Sequence, residues 1–317
     1  MTAPPAMARA DPAPQRSPLS ATGLGFVVVW CTGYLGGKLV VAEAGALTAL
    51  VWRFGLSTLV FLALAVAARV RRPTTTALLH SAMTGVLTLA LQFGGVYLGL
   101  HWGATAGIAA LVIGAMPLVV ALAAFAGGRE RLGPRQWSGL AIGFAGVMLV
   151  VADRIDGATP WPAWIALLVG LAGASAGTLY QKRHASTIDL RIGLATQNLA
   201  ATVVLMPLAL AIEDFRYAAT PAFFAPLAWL VLVNSVGGFA LLFVLIRHGA
   251  ASAVAALFFL MPPVTAAMGH VVLGEHLTAL KLAGFACAAF GVWLATRPLS
   301  ARRAASSSDR PADRGDA

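Results

Sequence analysis

Charge is what this sequence has least of. Of 317 residues only 11% are Asp, Glu, Lys or Arg, whereas 59% are hydrophobic and the mean hydropathy is +0.82. Soluble domains carry about 25% charged residues. This chain lacks the polar material to cover a water-facing globule of its own size. A soluble enzyme, a receptor ectodomain and a nucleic-acid-binding domain are therefore excluded. Cysteine is scarce as well. Cys31 and Cys287 both sit in apolar runs, which excludes a disulfide framework and a metal site built on thiolates. No polar segment is long enough to fold separately; the longest internal connection, near 213–224, is about a dozen residues. Carboxylates are missing from the central part of every apolar run. Coupling through a buried membrane carboxylate is thus disfavoured, which leaves facilitated diffusion or proton coupling through His or Lys.

What the sequence has instead is a series of apolar stretches, most of them about 18–24 residues long, the length that spans a bilayer core as helix. Ten are expected, at roughly 20–42, 48–68, 77–100, 104–127, 136–152, 163–181, 190–211, 226–246, 251–273 and 279–296. Residues 1–18 and 298–317, rich in Ala, Pro, Ser and charge, are expected to be disordered tails; the first lacks the apolar core of a signal peptide. Alternating the connections from the N-terminal tail puts seventeen of the 22 basic residues on one side, including Arg69, Arg71, Arg72, Arg129, Arg131, Arg135, Lys182, Arg183 and Arg191. The other side holds Arg154, Arg216 and Lys281, and Lys38 and Arg53 fall within spans. This asymmetry predicts a multi-pass membrane protein with both termini cytoplasmic. It also explains the net charge of +10 as loop charge directed at the lipid surface, with no nucleic-acid partner.

The two halves match each other. A shift of 145 residues lays Met116-Pro117 on Met261-Pro262, and Glu130, Leu132, Gly139, Gly146 and Val147 on Glu275, Leu277, Gly284, Gly291 and Val292. A shift of 144 lays Lys38 on Lys182. Each repeat, 19–152 and 163–297, would hold five spans. Five is odd, so the repeats run in opposite directions across the membrane, an arrangement of secondary transporters with the substrate site between repeats.

The runs ATAGIAALVIGAMPLVVALAAFAGGRERLGPRQWSGLAIGFAGVMLVV (104–151) and GAASAVAALFFLMPPVTAAMGHVVLGEHLTALKLAGFACAAFGVWLATR (249–297) resemble the second half of an EamA domain and its second copy. WCTGYLGGK (30–38) and GTLYQKR (177–183) fit the family's first and sixth helices. The chain thus resembles the EamA-like ten-helix exporters of the drug/metabolite transporter superfamily. The resemblance implies an all-α membrane carrier of amino acids, metabolites or drugs, usually acting outward. His270 departs from it, standing where the family commonly has an aromatic or apolar residue.

The residues themselves suggest where the work is done. Pro117, Pro262 and Pro263 lie near the middle of the fourth and ninth spans, where proline removes a backbone donor. They either open carbonyls towards a cavity or kink helices for packing. The rows Gly95-Gly99-Gly103, Gly139-Gly143 and Gly173-Gly177 read as close-packing faces. Trp30, Tyr34, Lys38, Gln92, Tyr180, Asn198 and Asn234 are the candidate lining of a substrate cavity, with interhelical hydrogen bonding as the alternative for the uncharged ones. Lys38 either snorkels to the headgroups or, with Arg53, makes the cavity electropositive and suited to a carboxylate or zwitterion. His270, Glu275 and His276 read as turn and capping residues. No catalytic set, metal or cofactor is expected; the partners are a small organic solute and the bilayer, as monomer or homodimer. The competing readings are a membrane-embedded lipid-processing enzyme and a receptor or scaffold.

Overall fold

The computed structural model describes residues 21–126, 133–152, 159–184, 188–248, 257–258 and 260–296. Both expected tails lie outside them, as do Glu130 and the start of the ninth span. The described chain is helical, with a single isolated β-bridge between Ala44 and Tyr217. The helices are α1 (Ala21–Glu43), α2 (Ala46–Ala67), α3 (Thr75–His101), α4 (Ala106–Gly114), α5 (Met116–Ala126), α6 (Pro134–Ala152), α7 (Trp161–His184) and α8 (Leu190–Glu213). There follow α9, built of Pro221–Ala228, Trp229–Gly237 and Gly238–His248, then α10 (Met261–Leu273) and α11 (Ala279–Thr296). Among the described residues, seven helical stretches are long and apolar enough to cross a membrane. Large apolar side chains point outward along them; Val66 and Ile212 are each 69% exposed. Lipid is the solvent that removes that cost.

Two boundaries differ from expectation for local reasons. The eighth span starts at Pro221 rather than near 226, because proline is suited to the first helical turn, whose N–H groups have no partner. Its preceding connection is only 214–220. The fourth span is two helices. It stops at Gly114, turns at Ala115 and restarts at Met116-Pro117. Pro117 brings no N–H to the Ile113 carbonyl, so the ladder breaks there. The same event recurs at the matching place, where Leu260 is a turn and Met261-Pro262-Pro263 opens α10.

Packing repeats with the partners exchanged. Three close pairs join matching spans of the two halves: α2 with α8, α4 of the fourth span with α10 of the ninth, and α6 with α11. Others come as swapped couples, α3 on α7 answering α9 on α1, and α3 on α8 answering α9 on α2. A pseudo-two-fold axis relating two oppositely directed five-span repeats produces this pattern. Glycine sets the closest approaches. In the α6–α11 pair Gly139 lies on Gly291 and Ala295, Gly143 on Gly291, and Gly146 on Gly284 and Ala288, so any side chain there would meet the facing backbone.

Two further irregularities obey the symmetry. Val86–Leu91 in α3 and Trp229–Gly237 in α9 are π-helical, and the 145-residue shift superposes them. Each packs on a glycine-bearing face of the other repeat. Leu87 and Thr88 meet Gly173 and Gly177 of α7, whereas Leu230 and Asn234 meet Gly36 and Gly33 of α1. A π segment widens the helix by a residue and re-aims the side chains it carries.

Candidate functional site

The two breaks face each other. Gly114, the last residue of α4, lies on the ring of Pro262, and the crevice between them is lined by Leu111, Leu118, Val147, Phe258 and Val292. That lining is apolar. Polar chemistry lies elsewhere, at the junction of α1, α2, α3 and α9.

Arg53 occupies that junction, eight residues into α2 and only 3% exposed. Its Nη1 donates to the Tyr97 hydroxyl at 2.8 Å and its Nη2 to the Asn234 side-chain oxygen at 2.8 Å. The guanidinium lies over the Phe93 ring, 4.8 Å from its centroid. Asn234, carried by the π segment of α9, in turn donates to the carbonyls of Val29 (3.0 Å) and Trp30 (3.2 Å). A Cβ on Gly33 would displace it. Three buried donors of α2 are left without a hydrogen-bond partner, Trp52 Nε1, Arg53 Nε and the Ser57 hydroxyl, and the last two lie one turn apart on the same face.

Lys38 lies elsewhere. Its ammonium donates to the carbonyls of Leu100 (2.9 Å) and Ala104 (2.8 Å), where α3 ends. The Leu100 carbonyl lies in the last turn of α3, at the negative end of its dipole, and Ala104 lies just beyond it, so the charge is held locally. Neither Glu43 nor an open cavity receives it.

The remaining candidates scatter. Trp30 packs edge-on against Phe239 and Phe258 and tilts over Phe26, and Tyr34 is half-buried against the main core. Gln92 is half-buried beside the π segment of α3. Asn198 is buried and donates to Leu194 of its own helix at 2.7 Å. The Tyr180 hydroxyl pairs with His80 Nδ1 at 2.8 Å, and the His80 ring stacks on His184. Only Asn234, with Trp30 beside it through its carbonyl, belongs to the Arg53 junction. Arg53 and Tyr97 stand out in sequence as polar residues inside spans, but the apolar context gave no sign that they meet.

One end of the bundle is bound by carboxylates. Glu213, the last residue of α8, accepts from the Leu47 N–H (3.0 Å), the Thr48 N–H (2.8 Å) and the Thr48 hydroxyl (2.8 Å), and so caps α2. Glu275 accepts from the Ala106 N–H at 2.8 Å and caps α4. Gly45 and Gly269 make room for these carboxylates, since a Cβ on either would overlap them. The 214–220 connection ties down the same end: Ala218 N–H donates to Glu43 (2.7 Å) and Gly45 N–H to Arg216 (3.2 Å). Trp52 packs there against Phe215, Tyr217 and Phe224. Burial lifts the Glu275 carboxyl above its usual range, against the opposing pull of the Ala106 N–H and the Lys38 charge. At the other end Asp189 caps its own helix, and the hydrogen bond from Arg191 holds it below the usual carboxylate range.

The arrangement has relatives. The chain is 27% identical over 285 residues to the uncharacterized inner membrane transporter YedA of Escherichia coli K12, covering 89% of this chain and 92% of that one. It is 26% identical over 227 residues to the uncharacterized transporter YvbV of Bacillus subtilis, covering 70% and 73%. A solved crystal structure shares the fold with a TM-score of 0.62 at 18% identity, over 87% of this chain and 95% of the other. The model of the EamA-like transporter family matches residues 20–152 and again 161–297, one match to each half. This chain, a membrane transporter, belongs to the EamA-like transporter family.

Proposed function

We propose that the protein moves a small organic solute outward across an inner membrane by alternating access between its two repeats, with both termini cytoplasmic. The observation that carries this reading is the pair of helix breaks, Ala115 before Met116-Pro117 and Leu260 before Met261-Pro262, which the repeat makes equivalent and the fold brings face to face. Broken helices at a repeat interface supply the bend about which one repeat rocks against the other. The seam is lined by side chains that interlock without bonds, so it slides without breaking a polar network. Inner-membrane placement follows the name of the Escherichia coli relative. Orientation follows the basic connections.

Two measurements test it. Purified protein in sealed vesicles should accelerate flux of at least one class among amino acids, organic acids and organic cations, and cells overproducing it should accumulate that class in the medium. Flux of none, with protein correctly inserted, would overturn the transport reading. Reporter fusions after Arg72, Arg135 and Arg191 should read cytoplasmic, and one after Asp214 external. An external reading at Arg135 would put both glutamate turns on one side and remove the inversion.

A further inference from the structure

We propose that Arg53, with Ser57 beside it, is the group that binds the carboxylate of the transported solute; this deepens the transport reading and rests on it. The guanidinium keeps its positive charge at any physiological pH. Taking such a charge out of water costs several kcal/mol unless an anion or a full set of hydrogen bonds replaces the lost solvation. Arg53 has neither. The side-chain ion pairs among the described residues are Arg191 with Asp189 and Arg216 with Asp214, both remote from it. Its partners are a phenol, an amide and an aromatic face, all neutral.

The groups left over fit an anion of one charge. The Nε–H and a neighbouring Nη–H form the edge of the guanidinium that accepts a carboxylate through two parallel bonds. Nε is buried and unbonded, and so is the Ser57 hydroxyl four residues on, on the same face of α2. The edge is fixed in place. Tyr97 and Asn234 grip the Nη atoms, and Asn234 is itself held by two carbonyls of α1 and aimed by its π segment.

Symmetry shows that packing does not require this charge. The 145-residue shift lays Arg53 on Asn198 and Ser57 on Thr202. Asn198 is as buried as Arg53 and satisfies itself within its own helix, and Thr202 does the same with Asn198. The fold therefore accepts a neutral residue at this place, and only one repeat carries the cation. Lys38 does not compete for the anion, because the Leu100 and Ala104 carbonyls already hold its ammonium.

The test is binding, read apart from transport. Full-length protein in detergent is titrated with the common L-amino acids and with short aliphatic and aromatic monocarboxylates. Their amides and inorganic phosphate serve as controls, and melting temperature is the readout. At least one carboxylate should raise the melting temperature while its amide and phosphate do not. Arg53→Gln should abolish that rise, and Arg53→Lys should keep part of it. Ser57→Ala, a substitution too small to unfold the protein, should weaken the same carboxylate about fivefold. No rise with any carboxylate, an equal rise with the amide or phosphate, or an unchanged affinity in Ser57→Ala would each overturn the assignment. Vesicle flux separates the two claims. Solutes that cross without any carboxylate binding leave transport standing and remove the site. Carboxylates that bind at Arg53 while nothing crosses leave the site standing and remove transport.

Discussion

Among the described residues, the two ends of the helix bundle are held by different chemistry, although the repeat makes them equivalent positions. At the end bearing Glu213 and Glu275, carboxylates of the second repeat sit on the first turns of α2 and α4 in the first repeat. Among the described residues, the side-chain bonds between repeats at the opposite end include neutral ones, the Ser81 hydroxyl to the Gly193 carbonyl at 3.1 Å and His80 to Tyr180. The position matching Glu213 there is Ala68, so α8 begins under its own Asp189 instead. Bonds to an ionised partner are roughly twice as strong as neutral ones. Two inverted repeats of one sequence pattern would share their conformations evenly between the two ends. Glu213, which has only Ala68 at its matching position, favours the arrangement seen, with its own end held together.

Removing the strongest anchor should have the largest effect. Glu213→Ala deletes three hydrogen bonds and frees the first turn of α2, a loss of roughly 3 kcal/mol. The melting temperature in detergent should fall by roughly 5–10 °C. Ser81→Ala, which deletes one neutral bond at the opposite end, should cost about 1 kcal/mol. Equal losses in the two variants would erase the distinction between the ends.

Glu275 sharpens the comparison through pH. Its carboxyl is lifted by burial, so this conformation binds the proton more tightly than the unfolded chain does. The corresponding stabilisation is present below the ordinary glutamate range and is lost as pH rises through the lifted pKa. Glu275→Gln should remove that dependence while keeping an acceptor for the Ala106 N–H. The wild-type melting temperature, followed from about pH 4 to about pH 8, should lose a downward component in the variant. A profile parallel to wild type would show that Glu275 is not the titrating anchor.

How much of this was legible beforehand depends on the range of the interaction. Helices, repeat and inversion rest on local hydropathy, loop charge and a fixed offset, all written along the chain. The breaks at Pro117 and Pro262-Pro263 were legible as well, since proline acts on its own backbone. The π segments carry no such residue; packing on glycine faces of the other repeat accompanies them, and that pairing is invisible in either segment alone. The Arg53 junction was hidden for the same reason. Tyr97 and Asn234 lie 44 and 181 residues from it, and nothing near Arg53 announces either. Lys38 shows the converse. Sequence set it within the first span, but its two acceptors are backbone carbonyls, which every residue has.

The smallest expected effect lies at the neutral end and has the opposite sign. Arg191 holds Asp189 below the usual carboxylate range, so here the unfolded chain binds the proton more tightly. The stabilisation is present above the ordinary aspartate range and lost as pH falls through the lowered pKa. Both side chains are more than a third exposed to solvent, at 42% and 35%, and water screens most of the attraction. Asp189→Asn keeps the cap acceptor for the Arg191 N–H and removes only the charge, so the melting temperature near pH 7 should change by less than about 1 °C. Below about pH 4 the variant and wild type should converge. Since Glu275→Gln acts at the high side of the same scan, the double variant should flatten the profile from both directions. A Glu275→Gln change in the profile no larger than that of Asp189→Asn would mean that burial shifts the Glu275 titration no more than the exposed pair shifts that of Asp189.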